Sequence, residues 1–247
     1  MRIRARHFLS LIPEPIRRPW VLDVGCAEGR LLDAFLRFGC ECRGIEHPLY
    51  PSHRFIRRDR IVYLQDWPGK SELPEGGFHL IFLWHTLEHL KDPRSTMDRL
   101  GVLLAPGGAL ILAVPNFSSI ESRCFGQHWF HLDIPWHRFH FNKGSLTYLI
   151  EKTHLRVAET NSFCLEQGPY GLLQSLLNAM GWPRNEFYEF LKGRRVKGRI
   201  FPVILQAFIF SLLLVPAIIL HLGTSGGGKG PILKMIVRHR DDPRDRT

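Results

Sequence analysis

At 247 residues, 45% of them apolar, the chain is long and apolar enough to bury a sizeable core as one large domain or one domain plus an insertion. Its five cysteines are odd in number and irregular in spacing, which excludes a small disulfide-stapled domain and fits free thiols in a reducing compartment. The formal net charge of +10 is concentrated in "MRIRAR" at the start, "RFIRRDR" at 54–60 and "KGRRVKGR" at 192–199; such clusters suit anionic lipid, nucleic acid or an acidic substrate, or else a plain solvated surface.

The apolar piece "FLSLI" is too short for a secretory leader, so the expected location is cytoplasmic. "PWVLDVG" reads as a buried strand, and "GRLLDAFLRFG" as a helix that stops at Gly39. "ECRGIE" is a second strand, in which Cys40 and Cys42 would point to opposite faces, against a metal pair. "IVYLQD" is a third. "FHLIFLWHTLEHL" begins as a buried strand and turns helical near Thr86. Residues 94–104 form a helix closed by an "APGG" turn, and "ALILAVPN" is the fifth strand. "GSLTYLIEKTH" is a helix with Ser145 as its N-cap, "RVAETNSF" the sixth strand and "PILKMIVRH" the seventh. Strands alternating with helices predict an α/β, doubly wound sheet. Ligands of such sheets sit beyond the carboxyl ends of the strands.

Those ends carry a consistent chemistry. Asp23 closes the first strand, and Gly25, Cys26, Ala27 and Gly29 form the turn into the helix. An acid here disfavours a phosphate but suits an ammonium group, so the corner fits a cationic, amino-acid-bearing nucleotide. Glu46, about twenty residues on, can accept from ribose hydroxyls. Asp66 can accept from an adenine amino group, Trp67 can cover the ring, and Trp84 ends the fourth strand beside the same mouth.

The successive pieces "VLDVGCAEGRLL", "GIE", "QDW", "FHLIFLWHTLEHLKDP" and "LLAPGGALILAVPN" resemble the motifs of class I S-adenosylmethionine-dependent methyltransferases, over roughly 20–163 plus the last strand. The group most similar is that of the ubiquinone-biosynthesis O-methyltransferases. The resemblance implies a Rossmann-like seven-stranded sheet with strand seven antiparallel, S-adenosylmethionine as cofactor, and cofactor roles for Asp23, Gly25, Gly29, Glu46 and Asp66. Ala27 replaces a usual glycine, and His79 stands where the family often has Asp.

An acceptor hydroxyl needs a base, and histidine is the commonest. In "WHTLEH" at 84–89, His85 and His89 would share a helical face. The string also fits a zinc-protease motif, H-x-x-E-H, a reading outweighed by the methyltransferase pattern around it. A divalent ion on His85, Glu88 and His89, as some relatives of the quinone group use, is the less favoured reading. The segment "FGQHWFHLDIPWHRFHF" at 125–141 mixes histidines with aromatics, as an acceptor site or as a packed lid, and it makes His137 and His140 the second choice of catalytic residues.

Residues 165–228 form a helical insertion between strands six and seven, within a division into a core at 1–164, this insertion, and a last strand with a basic tail at 229–247. The 23 residues of 200–222 contain no Asp, Glu, Lys or Arg and would reach about 34 Å as a helix. Strands six and seven must lie on one side of any membrane, so peripheral contact through 192–222, at the inner face, is expected rather than a crossing. The expected reaction is methyl transfer to an oxygen of a small or lipid-linked acceptor, a glycan or a quinol or phenol. An RNA methyltransferase is one alternative, though no RNA-binding module is evident and no nucleic-acid partner is expected. A non-catalytic binding protein on the same fold is the other. The sequence sets no oligomeric state.

Overall fold

The computed structural model describes residues 2–12, 16–49, 56, 58–63, 73–193 and 200–242. The chain divides into two compact units. The first comprises Met1–Val114, Gly144–Thr160 and Lys234–Thr247; the second comprises Pro115–Lys143 and Asn161–Leu233. The histidine-rich stretch after the fifth strand therefore clusters with the insertion, whereas the sequence division placed it with the core.

The first unit is built on a sheet whose strands are β1 (Trp20–Val24), β2 (Glu41–Glu46), β3 (Ile61–Tyr63), β4 (Phe78–Trp84), β5 (Leu104–Pro115), β6 (Leu155–Asn161) and β7 (Ile232–His239). Their order is β3-β2-β1-β4-β5-β7-β6. The pairs β1–β2, β1–β4, β2–β3 and β4–β5 are parallel, the expected Rossmann-like arrangement. β4 and β5 are nearly continuous apolar runs because interior strands of such a sheet are covered on both faces. Helix α1 (Arg2–Leu9) sets Phe8 edge-on against Phe82, with ring centroids 5.0 Å apart. Helix α2 (Arg30–Leu36) buries Leu32, Ala34 and Phe35 in the same core.

Helix α3 (Pro93–Leu103) starts on Asp92, whose carboxylate accepts from the Ser95 amide at 3.0 Å. "APGG" is not a separate turn but an irregularity inside β5. Phe78 pairs with Leu104 and Leu80 with Ala109, so β5 advances five residues while β4 advances two. Gly107, at φ 74, takes up the excess. Helix α5 (Lys143–Glu151) begins two residues before Ser145, which is therefore not its N-cap. His79 anchors the start of β1, where its Nδ1 accepts from the Trp20 amide at 3.0 Å.

Arg238 on β7 is buried and donates to the carbonyls of Gly107, Gly108 and Leu11, with Asp242 3.9 Å away. Three backbone acceptors would lose their partner on truncation. We expect Arg238→Met to cost about 3 kcal/mol in denaturant unfolding, since each buried polar group left unpaired costs roughly 1–3 kcal/mol.

The second unit contains α4 (Ile120–Phe125), α6 (Gly168–Ala179), α7 (Glu186–Leu191) and α8 (Ile200–Thr224). Leu173, Leu177, Phe187, Val203, Phe210 and Ala217 form its core. The glycine-rich turn after α8 is held by Asn116, whose amide donates to the carbonyls of Gly228 and Gly230.

Candidate functional site

At the end of β1 the chain makes the predicted corner. Gly25, Ala27 and Gly29 have φ of 78°, 46° and 79°, so three alternate residues adopt the left-handed region. Ala pays a strain there that glycine does not, which makes Ala27 the least comfortable of the three. The corner is fastened to β2. The amides of Gly25 and Cys26 both donate to the Ile45 carbonyl, at 2.8 and 3.2 Å. Glu46 then closes it: one carboxylate oxygen accepts from the Ala27 amide at 2.7 Å and the other from the His47 amide at 2.8 Å. Glu46 thus props the loop.

Two residues that the sequence reading passed over complete the corner. Thr86 packs directly behind Gly25, where an added Cβ would sit 2.2 Å from its Oγ1. Gly44, in the middle of β2, leaves room for Cys26, whose Sγ would lie 2.7 Å from an added Cβ. A glycine inside a strand was the available signal for close backbone approach. Cys26 and Trp84 serve differently from expectation. The Cys26 thiol is buried in the core, with its pKa pushed up by burial, then by Asp23 and Glu46, so the residue offers the site its backbone alone. Trp84 packs on the Phe8 ring at 6.4 Å as part of that same core. Asp66 and Trp67 lie outside the described residues.

Asp23 is 4% exposed. Burial first, and Glu46 second, raise its carboxyl to about 7. Folding therefore retains a proton that the unfolded chain loses near pH 4, so this group's contribution to stability is full at acidic pH and fades as pH climbs through 7. A pair of crowded acids in a water-poor corner suits a ligand carrying positive charge. S-adenosylmethionine, with its sulfonium and ammonium groups, fits this donor set where a phosphate would not. A bound cation favours the ionised acids. We expect cofactor affinity to rise roughly tenfold from pH 6 to 8, with proton release near pH 7. Calorimetry in buffers of different ionisation heat measures both; a flat profile would remove Asp23 from the cation's surroundings.

Beyond β4, the helix expected from Thr86 is a single 3-10 turn, Leu87–His89. His85 precedes it at φ 53, so it shares no helical face with His89. What the turn does bring together is His85 and Glu88. The His85 Nδ1 lies 3.4 Å from Glu88 Oε1, outside hydrogen-bond geometry. Glu88 is 1% exposed, and neither its oxygens nor His85 Nε2 has a hydrogen-bond partner among the described residues. Strained backbone and unpaired buried polar atoms at one place are the marks of a working site. Glu88 and His89 also place ligating atoms within 4.8 Å of each other.

In the second unit, His137 Nδ1 and His140 Nε2 are each 2.9 Å from a backbone carbonyl, of His131 and Leu132 respectively. A carbonyl only accepts, so both nitrogens carry a proton and the lone pair of each neutral ring sits on the other nitrogen. These two histidines therefore staple their segment. His131 is buried against Trp129 and Phe130, with ring centroids 5.6 and 4.8 Å away.

The sequence profile of the methyltransferase domain family matches residues 2–160. The chain belongs to this family. It is a class I S-adenosylmethionine-dependent methyltransferase. It is 32% identical over 104 residues to a ubiquinone biosynthesis O-methyltransferase of Psychrobacter arcticus; the match covers 39% of this chain and about 40% of that protein. In shape it is similar to a SAM-dependent methyltransferase from Archaeoglobus fulgidus, with a TM-score of 0.58 and 16% identity over 97% of this chain and 92% of the other. A phosphoethanolamine N-methyltransferase of Haemonchus contortus, solved with S-adenosylhomocysteine, gives 0.54 and 14% over 96% and 52%. These structural likenesses speak for the fold of the methyltransferase.

Proposed function

We propose that this methyltransferase moves a methyl group from S-adenosylmethionine to an oxygen of a small or lipid-linked acceptor, a glycan or a quinol or phenol, at the inner face of a membrane. The observation that carries the reading is the buried Asp23 beside the partly exposed Glu46, around a left-handed loop, in a chain of this family. The O-methyltransferase relatives support oxygen as the target. On the bonds by which the Arg240 amide meets the His154 carbonyl and the Gly230 amide meets the Ser162 hydroxyl, we take β7 to run antiparallel to β6, with 165–228 inserted between them.

When bound, the cofactor supplies an electrophilic methyl and its own leaving group. The chain's residues position the acceptor and take its proton. We take His85 as the base through Nε2, whose lone pair is available when the ring carries its proton on Nδ1, the nitrogen 3.4 Å from Glu88.

Transfer of radiolabelled methyl from S-adenosylmethionine to prenylated phenols and to lipid extracts tests the reaction. His85→Ala is expected to lower kcat by about 10²–10⁴ with cofactor affinity unchanged, the usual scale for losing a general base. Unchanged turnover would place the base elsewhere. Activity is expected to survive exhaustive chelation; its loss, with recovery on adding Mg²⁺, would put a divalent ion on His85, Glu88 and His89 instead. Tight RNA binding that falls steeply with salt would favour the RNA alternative.

A further inference from the structure

Helix α8 is apolar all round, but its faces are used differently. Val203, Gln206, Phe210, Ala217 and His221 are buried. They pack along α6 and α7, and the polar ones are bonded: Gln206 donates to Glu186 at 2.6 Å, and His221 lies 3.1 Å from Ser225 Oγ. The opposite side is bare. Phe201, Leu205, Phe208, Leu212, Val215, Ile219 and Leu222 follow one another at spacings of four and three, so they form one straight stripe. Leu205 is 38% exposed, and the other six lie between 58 and 76%. A contiguous apolar patch of this length marks a binding surface.

The geometry points to α8 lying in the plane of an anionic bilayer, with this stripe in the acyl boundary and the buried face on the protein. Three observations select that occupant. A second copy packing as a coiled coil would need charged residues beside the seam, yet the exposed flanks are Ile204, Leu214 and Leu220, and 200–222 holds no charged residue. A spanning helix would need all faces free for lipid. Here one side packs on α6 and α7: Gln206 donates to Glu186 and, about 22 Å along the axis, His221 stacks on Phe163 at 5.2 Å, and crossing would drag the Glu186 carboxylate into hydrocarbon. Finally, "KGRRVKGR" precedes α8 in the sequence, and the chain carries +10 overall, which complements an acidic lipid surface.

This inference narrows the acceptor proposed above to one presented at a bilayer, but it stands on α8 alone. The full chain is mixed with vesicles of phosphatidylcholine containing one-third phosphatidylglycerol, and with pure phosphatidylcholine vesicles. Co-sedimentation is expected with the first, weaker with the second, and reduced by salt. F208D together with L212D is expected to lower partition at least tenfold. Because both side chains are exposed, cofactor affinity by calorimetry should stay at the parental value, so loss of vesicle binding and loss of the methyltransferase reading are separate results. Carbonate washing is expected to release the bound protein; retention would mean a spanning helix and overturn the in-plane reading. Absence of vesicle binding would overturn it too, whether the chain sediments as a monomer or as a dimer that the same pair of substitutions dissociates.

Discussion

Gly25→Ala is expected to abolish measurable cofactor binding and to lower the melting temperature. The added Cβ would sit 2.2 Å from Thr86 Oγ1, 2.8 Å from its Cγ2 and 3.0 Å from its Cβ. Rotating the Thr86 side chain relieves the first two contacts but not the third. The backbone at φ 78 adds about 1–2 kcal/mol for any L residue, and overpacking adds roughly 1–3 kcal/mol. The loop must yield, and yielding pulls the Gly25 amide from the Ile45 carbonyl on which the corner hangs. A loss of affinity of at least 100-fold by calorimetry corresponds to about 2.7 kcal/mol, within that range. Adding Thr86→Gly should restore part of the melting temperature and leave the φ cost in place. Parental affinity in Gly25→Ala would mean that the cofactor is held somewhere other than this turn.

Glu46→Ala should weaken cofactor binding by a comparable factor through a different cause. It removes a charge and two short charge-assisted hydrogen bonds, to the amides of Ala27 and His47. Such bonds contribute about 1.5–3 kcal/mol each when the donor is left unmet. Glu46→Gln is a sharper probe. Its amide group can accept from one of the two N–H groups but must turn a donor toward the other, so most of the loss should persist. Glu46 is also one cause of the raised Asp23 pKa. Its removal should therefore shift the pH midpoint of cofactor affinity downward, which simple loosening of the loop would not do. Binding in Glu46→Ala that matches the parent in strength and pH profile would remove Glu46 from the site.

The sequence placed this corner well because its determinants are local. A strand ends, glycines supply left-handed backbone, and an acid, Glu46, closes the neighbouring β2; each of those is a statement about a few consecutive residues. The same locality misled the reading of 85–89. "HTLEH" has helical spacing, but His85 turns left-handed and only one 3-10 turn follows, so His85 sits beside Glu88 rather than on one face with His89. Cys26 and Trp84 had the right addresses and the wrong directions. Which way a side chain leaves a turn depends on what fills the space beside it, here Gly44 for the thiol and Phe8 for the indole.

Composition, strand and helix periodicity and the order of strand-end residues were enough to determine the fold class, the family and the left-handed corner after β1, because hydrophobic pattern and backbone freedom are written residue by residue. Contacts between residues distant in the chain needed the tertiary structure: Thr86 behind Gly25, Arg238 across three carbonyls, Asn116 on the glycine turn. So did the two faces of α8, whose uniform hydropathy carries no orientation until α6 and α7 cover one side of it. Packing is a property of neighbours in space, and a one-dimensional string does not say who they are.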